Sequence, residues 1–176
     1  MGTPAHEWTR VVIDALGLSM TPEALAHAWH DHMSAKYPTC ALMPGALSLV
    51  HKLPSSVKVA LATSSPASAV AIKRSAHPTL FDRFDVTVCG DDACVQRGKP
   101  SPDIFLRAAH LLDVSPSKCI VIEDTAHGVT AANAAKMTAV VVPDSRFYSA
   151  KDIPGRFDHA DVILPSLEAF DLSLLG

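Results

Sequence analysis

The stretch KCIVIEDTAHGV, Lys118–Val129, decides how this chain folds. Cys119-Ile120-Val121-Ile122 is a short apolar run, the pattern of a strand covered on both faces. It ends in two adjacent carboxylates, Glu123 and Asp124, and the chain then turns into a helical pattern, GVTAANAAK (128–136). Carboxylates held close together raise each other's pKa unless a cation sits between them. Mg2+ suits such a pair, because it takes oxygen ligands, keeps waters and binds through one or two carboxylates plus substrate phosphates. The pair has a second reading, as an acidic cap favoured by the dipole of the helix that follows. The two residues alone do not separate these readings.

Outward from this strand the chain alternates. PGALSLVHKL (44–53) reads as a helix, VKVALAT (57–63) as a strand, and Ser65-Pro66 as the cap of a helix running to about Ser75. FDVTVCG (84–90) is a strand, Ser101-Pro102-Asp103 starts a helix through Leu112, and CIVIED (119–124) is the strand above. TAVVVPD (138–144) and ADVILPS (160–166) complete the set. Strands separated by helices of this length imply βαβ crossovers, hence an α/β fold with a mostly parallel sheet covered by helices on both faces. Residues 1–43 differ in texture and read as helices only. Thr3-Pro4 and Thr21-Pro22 are start signals. Trp8, Val11, Val12 and Leu16 form one apolar stripe, and Leu25, Trp29, Met33 and Tyr37 form another.

Composition removes several classes of function. With 48% hydrophobic and 19% charged residues and a net charge of −3, the chain is expected to bind neither nucleic acid nor an anionic membrane as its main partner. No apolar run reaches transmembrane length, and MGTPAHEWTR lacks the layout of a signal peptide. Of the four cysteines, Cys40, Cys89, Cys94 and Cys119, none forms a C-x-x-C pair. A reduced, cytoplasmic protein without a disulfide framework is expected.

Parallel sheets bind ligands beyond the carboxyl ends of their strands. Those ends carry Thr63-Ser64-Ser65, Gly90-Asp91-Asp92, Glu123-Asp124 and Pro143-Asp144, so polar and acidic groups gather on one edge. Hydroxyls and free N–H groups at a helix start make an anion site, although Ser65 also reads as a plain cap. Lys99, in RGKPSPDIF, precedes a helix start; it reads either as a solvated loop lysine or as a cation for a phosphate or a carboxylate nucleophile. His27 and Asp31 stand four apart in AHAWHDH, a spacing open to metal but better read as an exposed polar face.

Taken in order, the hydroxyl after VALA, the lysine in GKPSPDIFL and the acidic pair in VIEDTAHGV resemble the haloacid dehalogenase (HAD) superfamily of phosphotransferases. LMPGA, GDDACVQRGKPSPDIFL and IEDTAHGVTAA are most similar to the branch containing pseudouridine-5′-phosphatase and its glycerol-phosphate phosphatase and FMN hydrolase relatives. The resemblance implies a HAD-like Rossmannoid core over residues 44–176 and a partial helical cap over 1–43. It implies that Thr63, Ser64 and Lys99 bind phosphate, with Thr63 and Lys99 in catalytic roles, and that Asp124 with Glu123 holds Mg2+. The substrate would be a small phosphorylated metabolite, a pseudouridine-5′-phosphate-like nucleotide or a sugar phosphate. Lys136 stands where the family usually has Gly.

One departure matters. The family's nucleophile lies in an Asp-x-Asp-Gly motif on a first, central strand, and neither Asp14, Asp82-Arg83-Phe84-Asp85 nor Asp91-Asp92 supplies it. Met1-Gly2 matches an internal Met-Gly of the family's cap. The expectation is an N-terminally truncated chain without its central strand and without phosphatase activity. The alternatives are a non-catalytic HAD-like protein, or a phosphosugar mutase or FMN hydrolase relative.

Overall fold

The computed structural model describes residues 5–149 and 151–175. The chain opens with two helices, α1 (Ala5–Leu16) and α2 (Pro22–Lys36). Gly17 ends the first with φ +60°, a conformation glycine adopts without steric cost. Thr21 starts the second as the sequence suggested, its Oγ1 accepting from the Ala24 N–H at 3.2 Å. The helices pack on each other through Trp8 and Trp29, whose rings meet edge to face with centroids 5.6 Å apart. The Thr3-Pro4 cap lies outside the described residues.

A 3-10 turn at Tyr37–Thr39 leads to α3 (Ala46–Lys52), and strands and helices then alternate. They are β1 (Ala60–Ala62), α4 (Ala67–Ala76), α5 (Pro78–Phe81), β2 (Val86–Val88), α6 (Asp103–Leu112), β3 (Ile120–Glu123), α7 (Ala126–Ala134), β4 (Thr138–Val141), α8 (Ile153–Arg156) and β5 (Val162–Ile163). Every strand pair is parallel. Leu61 stands opposite Thr87, Val121 opposite Ala139, and Val140 opposite Val162.

The strands form two sheets, β1-β2 and β3-β4-β5. β1 and β3 are not paired with each other, and among the described residues no other strand lies between them. The apolar core nevertheless crosses this split, as Val88, Ile104, Phe105, Val121, Val129, Val141 and Phe157 belong to one cluster. α6 packs on β1 and β2, α7 packs on β3 and β4, and the two helices touch. Helix packing therefore holds together two ladders that share no backbone hydrogen bond among the described residues.

Two expectations need correction. The strands are shorter than their apolar runs. VKVALAT is strand only at Ala60–Ala62, with one further ladder bond at each end from the Val59 carbonyl and the Thr63 N–H; before that the Val59 N–H donates to the Asp85 carboxylate at 2.7 Å and the Val57 carbonyl accepts from Arg83 at 2.8 Å. β3 is also not covered on both faces: Val121 is buried, but Ile122 beside it is 41% exposed. Adjacent strand residues point to opposite faces, and the described residues cover only one of the two at this point.

Candidate active site

The hydroxyl run follows directly from β1. The Thr63 N–H continues the ladder by donating to the Val88 carbonyl at 3.0 Å, and its Oγ1 accepts from the Ser65 N–H at 3.1 Å. This folds Thr63-Ser64-Ser65 into a tight turn across the carboxyl end of β1. Gly90, at the end of the β2 segment, permits that turn. A Cβ there would stand 2.4 Å from the Ser64 carbonyl oxygen, closer than real contacts allow.

Ser65 does not cap α4. The N-cap position is Pro66, and the Ala67 N–H is satisfied by the Asp91 carboxylate at 2.9 Å. Asp91 is thus the cap, supplied from the neighbouring strand end, and the Ser65 hydroxyl accepts from Lys73 instead.

Lys99 is not the solvated loop lysine that its type suggests. Its side chain is 8% exposed. Nζ donates to the Ala62 carbonyl at 3.3 Å and to Glu123 Oε1, and it lies 4.7 Å from the Phe105 ring centroid. The ammonium therefore spans the split, from the end of β1 to the end of β3. Such a cation needs its counter-ion, since an unpaired buried charge is costly.

Glu123 faces inward, also 8% exposed. Its Oε1 is taken by Lys99, and its Oε2 accepts from the Thr125 hydroxyl at 3.1 Å. Thr125 is the N-cap of α7, its Oγ1 accepting from the Gly128 N–H at 3.0 Å. The acidic pair is therefore not the helix cap; the threonine after it is. Gly128 leaves the space that Glu123 occupies, because a Cβ on it would stand 2.0 Å from the carboxylate carbon and from Oε2.

Asp124 points elsewhere. It is reachable by solvent yet crowded by protein atoms, and that partial burial raises its carboxyl above the usual carboxylate range. The charge of Glu123 adds to the rise, as does Asp144, while Lys99 opposes it. Asp144 itself is held below the usual range by hydrogen bonds from the Arg146 guanidinium. Among the described residues, no group of three His, Cys, Asp or Glu side chains could hold a metal. The fit is to a hard cation that needs only one protein carboxylate: Asp124 is an accessible oxygen donor with excess negative charge around it, and Mg2+ binds in that manner with waters and phosphate. His27 and Asp31 form an exposed contact of 3.4 Å on α2, away from any such group.

The geometry now has parallels. Residues 14–136 match the family model described as haloacid dehalogenase-like hydrolase. The chain belongs to the haloacid dehalogenase-like hydrolases. It is 40% identical, over its whole length and 76% of the relative, to the probable pseudouridine-5′-phosphatase of Drosophila melanogaster. It is 35% identical to (DL)-glycerol-3-phosphatase 2 of Arabidopsis thaliana, over 97% of the chain and 71% of that relative. The crystal structure of β-phosphoglucomutase from Clostridium difficile superposes on 99% of the chain and 76% of its own with a TM-score of 0.77, at 22% identity, and so is similar in fold.

Sequence reading named Asp91 only among the acidic groups of this edge, and it missed Thr125 and Lys73, which also shape this haloacid dehalogenase-like site. Thr125 was legible as a Thr before a helical run, the ordinary N-cap signal. Asp91 capping α4 and Lys73 reaching Ser65 join positions far apart along the chain, and no local pattern announces either contact.

Proposed function

We propose that this chain carries the phosphate- and metal-binding half of a phosphomonoester hydrolase for small phosphorylated metabolites, and that the 176 residues alone do not turn over. The observation that carries the reading is Lys99, buried across the split between β1 and β3 with Glu123 as its counter-ion. Thr63 and Ser64 offer their hydroxyls, and Ser64 its N–H, to the phosphoryl oxygens, and Lys99 supplies charge beside them. Asp124 holds Mg2+, and Glu123 orients Lys99 and closes the metal side. When bound, Mg2+ screens the repulsion between the phosphate and the acidic edge. Names of relatives such as pseudouridine-5′-phosphatase and glycerol-3-phosphatase favour a nucleotide-type or polyol monophosphate as substrate.

The proposed lack of turnover rests on two features. No Asp-x-Asp-Gly occurs in the chain, and the edges of β1 and β3 that face the split are unpaired among the described residues. The test is calorimetric titration of the 176-residue protein with Mg2+ in the presence of inorganic phosphate, alongside hydrolysis assays on pseudouridine 5′-phosphate and glycerol 3-phosphate. Expected are Mg2+ uptake that Asp124→Asn weakens by about tenfold or more and hydrolysis at background. Metal-dependent turnover abolished by Asp124→Asn would overturn the second half of the reading. Mg2+ uptake indifferent to Asp124→Asn would overturn the first.

A further inference from the structure

Lys73, on the last turn of α4, is a half-buried ammonium with no carboxylate in ion-pair reach among the described residues. Its Nζ donates to Ser65 Oγ at 3.2 Å and lies 4.6 Å from the centroid of the Tyr37 ring. The hydroxyl is available to it because Asp91, not Ser65, caps α4. The side chain thus reaches back along its own helix to the carboxyl end of β1.

The charges along this edge do not balance locally. Lys99 is matched by Glu123, Arg146 by Asp144 and Arg107 by Asp92, while the Asp91 carboxylate is engaged by the Ala67 N–H at the start of α4. Asp124 is left negative, and Mg2+ answers it under the reading above. A phosphate dianion on Thr63-Ser64-Ser65 would then have to share Lys99 with Glu123. Lys73 is a further cation hydrogen-bonded into the hydroxyl run, and it has no such partner. Holding an ammonium half-buried without a counter-ion is unfavourable, and an anion bound beside it would remove that cost.

We propose that Lys73 is an anion-binding residue of this site: together with Ser65 it holds a negatively charged oxygen of the phosphorylated ligand seated on Thr63-Ser64-Ser65. The assignment rests on the phosphate reading of the site. The groups facing Lys73 agree with it. The 3-10 turn after α2 presents the Tyr37 ring, and the end of β1 presents the Ser65 hydroxyl. The following loop brings the Cys40 side chain within electrostatic range. Burial sets the free ammonium below the usual lysine range. A bound phosphate would push it back up.

The experiment is an NMR titration of the 176-residue protein with inorganic phosphate in the presence of Mg2+, following backbone amides and the side-chain carbon next to each lysine nitrogen. In the native protein, phosphate is expected to shift the Ser64 and Ser65 amides and to raise the pH at which Lys73 titrates. Lys73→Gln is expected to bind phosphate about tenfold more weakly, and Lys73→Arg is expected to keep most of the affinity. Lys99→Gln reports on the phosphate site independently. Unchanged affinity in Lys73→Gln, with Lys99→Gln impaired, overturns the role of Lys73 and leaves the site standing. A native protein that binds no phosphate overturns both. Should Lys73→Gln fail to fold, the titration of Lys73 in the native protein still decides: a midpoint that phosphate does not move sinks the proposal.

Discussion

Gly128→Ala tests how tightly the helix start and the ion pair depend on one another. In an ordinary helix this change stabilises by roughly 0.5–1 kcal/mol, since alanine is the better helix former. Here the new Cβ would stand 2.0 Å from the Glu123 carboxylate carbon and Oε2, and 2.6 Å from its Cγ. The glutamate is a flexible side chain and could swing away. To do so it must release Lys99 and the Thr125 hydroxyl, leaving a buried ammonium unpaired. Breaking a buried pair costs about 3–5 kcal/mol. Less the helix gain, the substitution should destabilise by about 2–4 kcal/mol, which for a domain of this size lowers Tm by roughly 5–15 °C. Urea unfolding at pH 7 measures it. The decisive comparison is the same substitution in a Lys99→Met/Glu123→Ala background, where neither clash nor pair remains. There the sign should reverse, and Gly128→Ala should stabilise by the helix term alone, about 0.5–1 kcal/mol. A neutral or stabilising Gly128→Ala in the native background would refute the claim that Glu123 is pinned in this space.

Lys99→Met should destabilise by about 3–5 kcal/mol by stranding Glu123, and Lys99→Met/Glu123→Leu should recover much of that loss in the same unfolding assay. Gly90→Ala places a Cβ 2.4 Å from a backbone oxygen that no side-chain rotation can move; a loss of about 1–3 kcal/mol and shifted Ser64 amide resonances are expected. Thr125→Ala removes the α7 cap and should cost about 1 kcal/mol, seen as a lower urea midpoint. Because Arg146 depresses the Asp144 carboxyl, the stability this contact contributes is full above the ordinary aspartate pKa of about 3.9 and is lost as pH falls through the lower folded value. Arg146→Gln should therefore be less stable than the native protein at pH 7, with the gap in urea midpoint closing below about pH 4; a gap independent of pH would contradict the assignment.

Much of this was legible, and the legible parts have a common physical character. Element type followed from periodicity: alternating apolar runs and capped helices gave parallel strands in chain order, because crossovers of that length leave few other topologies. Lys136 was legible as a misfit, and its φ of +60° places it in the conformation where glycine has no steric cost. The order of Thr63, Lys99 and Glu123-Asp124 marked one sheet edge, because parallel strands present their carboxyl ends together. Strand length was not legible, since it depends on whether the neighbouring ladder is present and on competitors such as Asp85, which takes the Val59 N–H.

What the sequence could least supply was the division of labour within the acidic pair. Glu123 and Asp124 are chemically alike and adjacent, and composition gives no ground for treating them differently. The fold separates them. One end of β3 turns Glu123 into a space kept open by Gly128, between a buried lysine and a threonine cap. The next residue emerges where burial and like charge raise its carboxyl and make a cation welcome. The same turn therefore gives neighbouring carboxylates different surroundings, one paired with a buried lysine and one open to solvent, and the proposed metal role falls to the second. Lys99 links this turn to the end of β1, so the strand ends that would enclose a phosphate are held in place by a side chain rather than by a ladder. It follows that phosphate affinity should depend on the integrity of the Lys99–Glu123 pair even for substitutions, such as Gly128→Ala, that remove no group able to touch the ligand.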